Sequence, residues 1–466
     1  MFARILLPAT AALLLTACAT GPNYSAKPLS SAATAPFVGL GQSPLVSDAT
    51  PQTDWWRLFN DPVLDGLVTD ALATNTDLRE AAARVAKVRA ILREERGARE
   101  PQMGVGGGAQ YGRLSGPKIP GESRNDIQVD AGLDLAYEVD LFGRLSRRVE
   151  AARGDVAASN ADADALRVVI VAETTRAYAD AVSSAERIAV AQSIVDLLSR
   201  TLSLTQRRHD VGLANGLDIA RIAGLRDQRR AEVPLLEAQR QAALFRLATL
   251  TGRAPRELPA EASARDTSLR LEQVIPVGDG AALLARRPDV RGAERRLAAA
   301  TARIGVATAE LYPRITLGGS AESASSGLSN ILTGNALSWL IGPLLSWTAN
   351  RSAARARVAG AEADAQEALA SFDGTLLQAL EETETALSDY QQRVARRDAL
   401  RAARDQAEKA ATITRARQRE GDISSLESLD AERTAAETQA ALAEADAGIA
   451  VAQIGLFRAL GGGWQR

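Results

Sequence analysis

The sequence has very little of the side-chain chemistry on which most enzymes and metal sites depend. Among its 466 residues there is one cysteine, Cys18, and one histidine, His209. A zinc site, a cysteine–histidine pair or a disulfide framework needs more of these residues than the chain contains. A serine–histidine–aspartate triad would have to use His209, which lies beside a predicted helix tip and not in the partly buried setting that a triad requires. We therefore expect neither catalysis nor a bound metal or cofactor.

Aromatic residues, net charge and long apolar runs are also scarce. Aromatic residues make up 4% of the chain, and the net charge is −2 at pH 7. The low aromatic content suits long, closely packed helices. Because the chain has no excess of basic residues, it lacks the positively charged surface that is typical of nucleic-acid-binding proteins. Beyond the N-terminus no segment has 18 uninterrupted apolar residues, so any membrane crossing must be made by the strands of a closed barrel.

The N-terminus is predicted to carry a lipid. Residues 1–17 have the features of a lipoprotein signal peptide: a basic residue, Arg4, an apolar stretch, and Leu-Thr-Ala before Cys18, which resembles a bacterial lipobox. Ala19 follows in place of the aspartate that resembles an inner-membrane retention signal, which favours the outer membrane. The alternative is an ordinary signal peptide with a cysteine at this place by chance. Residues 18–60 are then a lipidated, extended tether, bound through Cys18 to outer-membrane lipid.

The rest of the chain contains the same pattern twice. A shift of 212 residues aligns Asp77 with Asp289 and Arg84 with Arg296 without a gap, together with matching alanines, a proline and two glycines. Residues 61–270 and 271–466 are therefore predicted to be two copies of one unit. Each copy consists of a helix, a proline break, a strand pair, a very long helix, a glycine tip and a return helix.

Each copy is predicted to hold two strands of the length found in membrane barrels. In residues 127–140 apolar side chains alternate almost strictly with polar or small ones, so one face meets apolar material and the other meets water. Trp339 and Trp347 would lie at the height of an interfacial aromatic girdle. The alternative is a soluble antiparallel sheet. The four strands are predicted at about residues 103–111, 127–140, 313–322 and 336–347.

Three helices are predicted to be unusually long. The first runs from Asp61-Pro62, a capped helix start, to about Arg99. The other two cover about 144–211 and 350–419, which contain no proline, and about 68 residues make a rod of roughly 100 Å. In the second helix apolar residues recur every seven positions from Val149 to Ile170 and again from Ala181 to Leu202, with an eleven-residue step between the series. This mixture predicts nearly straight, coiled-coil-like packing.

Each long helix is predicted to turn back at a glycine tip, at residues 212–217 and 421–425. Glycine favours the turn because it tolerates positive φ. Ser424 and Glu427 also match a capping box, and Asp218 has the same position relative to its own turn. One interpretation is that Asp218 and Glu427 only cap their helices. Asp430 lies a turn further along, where a solvated helix face would explain it.

Five motifs, with the lipobox and the duplication, resemble the outer-membrane factors of tripartite efflux and type I secretion systems. These are the TolC-like channels, and the resemblance, which covers nearly the whole chain, is to their NodT-type lipoprotein branch. One feature departs from the family, because Trp347–Arg351 replaces its usual Phe and Gly, but Asn350 can take the left-handed conformation that the glycine would. The motifs are CATGPNY at 18–24, WWxxFxDP at 55–62, YEVDLFGR at 137–144, LARRPDV at 284–290 and ALGGGW at 459–464.

The resemblance implies a fold that is mainly α with a β-barrel part. A homotrimer would form a twelve-stranded outer-membrane β-barrel, continuous with a long periplasmic α-helical barrel. The helix tips would dock onto a periplasmic adaptor (membrane fusion protein) fed by an inner-membrane RND pump. The docking residues would be Gly212, Leu213, Ala214 and Asn215 at one tip and Gly421, Asp422, Ile423 and Ser424 at the other.

The resemblance also implies acidic residues near a closed periplasmic aperture. By position these would be Asp218, Glu427 and Asp430. Three copies of each would surround a narrow pore, where like charges repel one another unless they are paired. Such a ring would favour opening or attract cations.

The expected function is a passive outer-membrane exit duct for drugs or other small molecules, driven by an inner-membrane transporter. The sequence contains no GxxxxGK[ST] nucleotide-binding loop, which fits a duct that is energised elsewhere. Two alternatives stay open: a type I secretion exit duct, and a periplasmic coiled-coil spacer lipoprotein without a pore. The alternating strands favour a duct over a spacer, because a spacer has no need of them.

Overall fold

The structure, a computed structural model, describes residues 19–41, 43–113, 125–271, 273–326 and 337–463. The predicted signal peptide with Cys18, the strand residue Ala336 and the motif residue Trp464 lie outside these ranges. The helices are α1 Ser31–Thr34, α2 Pro62–Thr74, α3 Thr76–Gly97, α4 Arg144–Asp210, α5 Gly216–Leu250, α6 Gly280–Arg286, α7 Pro288–Ala309, α8 Ser352–Glu420 and α9 Ser425–Ala459. The strands are β1 Val46–Ser47, β2 Gln102–Arg113, β3 Asn125–Val139, β4 Ile275–Pro276, β5 Arg314–Ser326 and β6 Leu337–Ser346.

The two halves of the chain repeat the same elements, as the duplication predicts. Helices α3 and α7 begin 212 residues apart, at Thr76 and Pro288, and each has 22 residues. Strands β2 and β5 begin at Gln102 and Arg314, at the same separation. The return helices α5 and α9 have 35 residues each. The duplicated helix–strand architecture is therefore confirmed.

The single helix expected from residue 61 to about residue 99 is wrong, because two helices, α2 and α3, occupy this segment. Asn75 separates them. Its Oδ1 accepts the backbone N–H groups of Asp77 (2.9 Å) and Leu78 (3.2 Å), and its Nδ2 donates to the carbonyl oxygen of Leu250 (2.9 Å). The side chain thus starts a new helix and binds a second element, which competes with continuation of α2.

The four long strands form one antiparallel sheet in the order β2-β3-β5-β6. Gly107 pairs with Ala131, and Leu133 pairs with Ala321. β2 and β6 each have a single neighbour within the described chain, so both are edge strands. A separate parallel pair joins β1 to β4. The four predicted strands are confirmed, with ends that differ by a few residues.

The chain divides into two compact units. The first comprises residues up to Lys27, Arg84–Asn160 and Gly292–Asp373, and it contains the four-stranded sheet. The second comprises Pro28–Ala83, Ala161–Arg291 and Gly374–Arg466, and it contains both helix tips. The boundaries fall inside α3, α4, α7 and α8.

An extended apolar core fills the second unit, and the tether contributes to it. Trp55 is 1% exposed and stacks on Phe457 of α9 with 4.8 Å between ring centres. Phe37 and Val46 of the tether are buried in the same cluster. The tether, predicted to be extended, contains helix α1 and packs apolar side chains into the core of this unit.

Asp61, the aspartate of the WWxxFxDP motif, is buried because each of its carboxylate oxygens has hydrogen-bond partners. Its Oδ1 accepts the N–H groups of Val63 (2.8 Å) and Leu64 (3.2 Å) and so caps α2. Its Oδ2 accepts the Tyr178 hydroxyl (3.0 Å) and pairs with Arg265 (2.8 Å). Burial, with the Asp61 charge beside the phenol, raises the pKa of Tyr178.

Two arginines of the LARRPDV motif hold the end of helix α9. Arg286 donates to the carbonyl oxygen of Leu460 (2.7 Å), and Arg287 donates to that of Ala459 (2.8 Å). Arg287 also pairs with Glu382 of α8 at 2.7 Å. Burial is the main reason that the pKa of Arg286 falls to about 10. The motif therefore joins α6, α8 and the C-terminal end of α9.

Near its tip, helix α4 buries positions next to members of the apolar series that recurs every seven residues. Val149 and Ile170 are buried, in agreement with the first apolar series. In the second series Val195 is only partly buried, whereas Ile194 and Leu198 are 3% and 1% exposed and pack in one cluster. The buried stripe depends on which neighbouring helix the chain meets, and a seven-residue spacing alone does not choose between adjacent positions.

Among the described helices, the segment Leu426–Ala459 of α9 is long and apolar enough to cross a membrane by length and composition alone. Its most apolar window is 44% buried inside the protein. Ile449, Ile454 and Phe457 of this segment belong to the core of the second unit. The apolar character of α9 is therefore explained by core packing.

Candidate functional site

Alternating side chains give the four-stranded sheet one apolar and one polar face. Successive side chains point to opposite faces, and the register places the odd-numbered residues of all four strands on the same face. Eight of the larger apolar side chains on that face are 41% to 85% exposed in the single chain, whereas Val129 of β3 is 7% exposed. A continuous exposed face of this kind suits contact with lipid. These side chains are Met103, Val105, Leu133, Leu135, Leu317, Trp339, Ile341 and Leu345.

The opposite face of the sheet carries carboxylates. Asp130 and Asp134 lie on β3, and Glu322 of β5 lies opposite Gly132, between them in register. In the part of the chain that the structure describes, none of the three carboxylates has a hydrogen-bond or ion-pair partner. β6 contributes Leu340 and a second leucine to this face, so the negative charge lies on the two central strands. The face is acidic.

Different devices close the strand-to-helix turns of the two copies. In the first copy Gly143 has φ +78°, and a Cβ there would meet Ala19 Cα at 2.8 Å, so glycine is required. Asp140 then caps α4, because its carboxylate accepts the N–H groups of Leu145 (2.9 Å) and Ser146 (2.7 Å).

In the second copy Asn350 does not take the left-handed conformation that an asparagine can adopt in place of glycine. Among the described residues, Asn60 is the one non-glycine residue with positive φ. Asn350 Oδ1 instead accepts the backbone N–H (3.1 Å) and the hydroxyl (2.8 Å) of Ser352 at the start of α8. A side-chain cap therefore does here what the Gly143 turn and Asp140 do in the first copy.

The tether is fastened beside the first of these turns. The backbone N–H and the hydroxyl of Thr20 both donate to the carbonyl oxygen of Phe142, at 3.1 and 3.0 Å. Arg147 donates back to the carbonyl oxygen of Thr20 (3.2 Å). The Tyr24 hydroxyl donates to Glu294 (3.0 Å), and burial is the main cause that raises the pKa of Tyr24 to about 12. From Thr20 onward, the CATGPNY motif thus binds the tether to the first strand-to-helix turn and to helix α7.

Both helix tips use the same turn. At the first tip the N–H of Gly212 bonds to the carbonyl oxygen of His209 (2.8 Å), and that of Leu213 bonds to Arg208 (2.7 Å). The second tip repeats this pattern from Gly421. The two glycines have φ +76° and +82°, in the region that glycine tolerates best.

The N-caps of the return helices are Asn215 and Ser424. Asn215 Oδ1 accepts the N–H of Asp218 (2.9 Å), and Ser424 Oγ accepts that of Glu427 (3.3 Å). The two acidic residues therefore lie in first turns, near the positive ends of their helix dipoles. Neither carboxylate has an ion-pair partner within the described part of the chain.

The third predicted aperture residue differs from the other two. Asp430 pairs with Arg433 at 2.8 Å, and its side chain is 65% exposed. Asp422 at the tip is likewise held by Arg417 at 2.8 Å. Two of the three acidic side chains predicted at the second tip, Asp422 and Asp430, are thus paired with an arginine, and Glu427 is not.

Comparison with known proteins decides the family. The family model described as outer membrane efflux protein matches residues 67–253 and 281–462, once in each half of the chain. The chain belongs to the outer membrane efflux protein family.

Individual relatives match this efflux protein along nearly its whole length. It is 32% identical to outer membrane protein OprJ of Pseudomonas aeruginosa over 462 residues, which cover 97% of this chain and 94% of OprJ. It is 29% identical to nodulation protein T of Rhizobium leguminosarum bv. trifolii over 434 residues, 93% of this chain and 92% of that protein. The solved structure of the outer-membrane channel OprN is 36% identical with a TM-score of 0.89, and the match covers 96% of this chain and all of that one.

Family membership gives the sheet and the helices their roles. The efflux protein is an outer-membrane channel of tripartite efflux pumps, located in the outer membrane and extending into the periplasm. The family role is transport. The apolar face of the sheet is then the lipid-facing wall, and the acidic face lines the lumen. The alternatives of a soluble sheet and of a spacer without a pore are excluded.

Glu432 is a buried acidic residue of the efflux protein that the sequence did not indicate. It is 4% exposed and lies in α9 between Thr201 of α4 (3.5 Å to the hydroxyl) and Arg415 of α8 (3.8 Å). Burial raises its pKa, and the Arg415 charge opposes that shift. Ser428 and Ala436, each four residues from Glu432 in the same helix, are both buried. This helical spacing is the one feature of the sequence that could have indicated the burial of Glu432.

Proposed function

We propose that the protein is the passive exit duct of a homotrimer, with four strands from each chain in one twelve-stranded barrel. The observation that carries this proposal is the pair of open sheet edges, β2 and β6. A strand in lipid must satisfy all of its backbone hydrogen bonds, and only closure of the sheet removes both edges. Three copies, each joined from β6 to the next β2, close it.

We propose small cationic or neutral molecules as the cargo class. The support is the acidic lumen face, on which Asp130, Asp134 and Glu322 have no counter-charge among the described residues. A pore wall of one sign raises the local concentration of the opposite charge. At the helix tips, Asp218 and Glu427 would add negative charge along the pore, whereas the charge of Asp430 is partly neutralised by Arg433.

The cargo proposal predicts a change in ion selectivity. In planar bilayers with a KCl gradient, the reversal potential of the wild type should indicate preference for K⁺. Asp130→Asn with Asp134→Asn and Glu322→Gln should reduce that preference, and Glu427→Gln with Asp430→Asn should reduce it separately if the tips line the aperture. The matched control is Glu261→Gln, an exposed carboxylate outside the sheet and the tips. Unchanged reversal potentials in both sets would exclude these carboxylates as determinants of selectivity.

We propose that the two tips dock onto a periplasmic adaptor that is fed by a proton-driven RND pump. The support is a group of apolar side chains with no core to join: Val211, Leu213 and Leu217 at the first tip are 70%, 72% and 56% exposed, and Leu426 at the second is 50% exposed. Exposed apolar clusters at a loop tip mark protein interaction sites. The proposed docking residues are 212–215 at the first tip and 421–424 at the second.

The docking proposal is tested by photocrosslinking in cells. A photoreactive residue at Asn215 or Ser424 should capture an adaptor protein, and one at Val38, which is 90% exposed but lies in the tether, should not. The adaptor captured then identifies the pump. An adaptor of a type I secretion system would replace the RND assignment, and capture of only cell-wall proteins from both tips would refute the docking proposal.

Lipidation of Cys18 is a further proposal, since the residue lies outside the described ranges. The support for this proposal is that Thr20, two residues after Cys18, is hydrogen-bonded to Phe142. Phe142 lies just beyond the periplasmic end of β3. Metabolic labelling with palmitate should label the wild type and not Cys18→Ser.

A further inference from the structure

A cavity with an unusual set of side chains lies at the periplasmic end of the sheet. Its volume is about 350 Å³, and it lies where β3 and β6 end and β5 begins. Aromatic rings and arginines line it together. Phe142 and Tyr312 stack with 4.5 Å between ring centres, and Trp347 is half exposed.

Two tryptophans locate this cavity relative to the membrane. Trp339 and Trp347 are 74% and 50% exposed and eight positions apart, which is about 27 Å along a strand. Along a strand tilted by about 40°, this separation covers most of the roughly 25 Å apolar band of an outer-membrane barrel. Ile341, Pro343 and Leu345, which alternate between them, are all apolar. Trp347 therefore marks the periplasmic boundary of the lipid-facing wall.

The carboxylates of the cavity are already engaged. Glu138 accepts two hydrogen bonds from Arg144 (2.9 and 2.6 Å). Asp140 caps helix α4. Glu310 pairs with Arg357 at 2.8 Å. None of the three lies within ion-pairing distance of Arg351 in the described part of the chain.

Arg351 is the arginine that remains. Its guanidinium lies over the ring of Trp347, 5.1 Å from the ring centre. Within the described part of the chain no carboxylate lies within ion-pairing distance of it. Arg314 belongs to the even-numbered face of the sheet and lies 3.8 Å from Glu138, so it shares that carboxylate with Arg144. Four arginines thus face three carboxylates, and the surplus positive charge lies at the membrane boundary.

An anionic phospholipid has the chemistry to fill this cavity. A guanidinium binds a phosphate through paired N–H groups, and stacking on an aromatic ring leaves those groups available. The exposed half of Trp347 and the ring of Tyr312 offer apolar contact for the glycerol and the first acyl carbons. Free phosphate would use the guanidinium but not the aromatic wall, so the combination favours a lipid over the free ion.

We propose that this cavity binds the headgroup of an anionic phospholipid of the periplasmic leaflet, with its phosphate on Arg351 and its glycerol against Trp347. The inference rests on the lipid-facing assignment of the sheet and is independent of cargo and of the docking partner. The bound lipid would belong to the folded channel and would stay with it through purification.

The test uses the full-length channel, purified in detergent and delipidated, with phosphatidylglycerol as the probe. Native mass spectrometry counts the lipids retained as phosphatidylglycerol is added. Arg351→Gln should weaken retention about fivefold, because one arginine near an anionic surface contributes about 1 kcal/mol. Arg351→Lys should restore part of it. The control is Arg355→Gln, a charge change four residues further along, in the first turn of α8 and outside the cavity lining, which should leave retention unchanged.

Three outcomes would overturn the proposal. One is equal retention by wild type and Arg351→Gln when circular dichroism shows the same helical content. Another is displacement of the lipid by inorganic phosphate at millimolar concentration, which would make the site one for the free ion. The third is equal retention of neutral phosphatidylcholine and phosphatidylglycerol, which would remove the role of the anionic headgroup.

Discussion

At the scale of single residues, the buried acidic groups of this channel divide by what surrounds them. Asp61 is 4% exposed, and both of its oxygens have partners: two backbone N–H groups, a phenol and Arg265. Glu432 is equally buried, but it has one hydroxyl at 3.5 Å and one guanidinium at 3.8 Å. A buried carboxylate with few donors favours its neutral form. Asp61 therefore stabilises the fold, whereas the charged form of Glu432 destabilises it at neutral pH.

Glu432 predicts a pH dependence of stability near the tips. Its pKa is raised in the folded state, so the folded chain binds the proton more tightly than the unfolded chain does. The resulting stabilisation is full below the ordinary glutamate pKa and is lost as the pH rises through the raised pKa. Glu432→Gln should therefore raise the thermal midpoint at pH 8 and change it less at pH 4.

The measurement is the thermal loss of helical circular dichroism in detergent across this pH range. Glu427→Gln is the matched control, because it removes an exposed carboxylate from the same helix. Among the described residues, Arg415 is the charged group that acts on Glu432 from the neighbouring helices. A midpoint that shifts equally at all pH values in Glu432→Gln would contradict the assignment.

At the scale of elements, alternation along the strands decides which substitutions the channel tolerates. Ile341 and Ser320 lie near the middle of their strands, β6 and β5, one on the lipid-facing side and the other on the lumen side. The sequence alone indicated two-faced strands, and the register then determined which residues share a face across strands.

A pair of lysine substitutions tests this assignment of faces. Ile341→Lys should destabilise the membrane-inserted barrel by about 2 to 4 kcal/mol, the cost of a lysine facing lipid near the midplane. Ser320→Lys should have little effect, because the new charge enters the lumen. The readout is the fraction of folded, heat-modifiable protein after refolding into lipid vesicles over a urea series. Equal destabilisation by both would mean that the faces are not lipid and lumen.

At the scale of the whole molecule, closure of the barrel requires a second and a third copy. The open edges are β2, which is rich in glycine, and β6, which is rich in leucine. The chain contains a single native cysteine, Cys18, so engineered pairs can be read without background after Cys18→Ser.

Cysteine pairs across the proposed junction test the trimer. Gly107→Cys in β2, combined in turn with Leu340→Cys, Ile341→Cys or Pro343→Cys in β6, should give a covalent trimer on mild oxidation for at least one combination. Gly107→Cys with Gly319→Cys is the control, since β5 is an interior strand that meets no second chain. Monomer alone in every β6 combination, with the channel folded, would refute closure by edge pairing.

The sequence by itself determined the duplication, the strand faces, the long helices and the glycine tips. These follow from local periods and from caps, which act within a few residues of one another. The tertiary structure decided the rest. Asn75 breaks a helix because it reaches Leu250, and Asn350 caps α8 without the left-handed turn. Glu432 is buried between helices that are far apart in the sequence. Arg351 contacts Trp347 and no carboxylate of the described residues, because no remote segment places one beside it. Burial and charge pairing join residues that are far apart in the chain, and no local pattern records them.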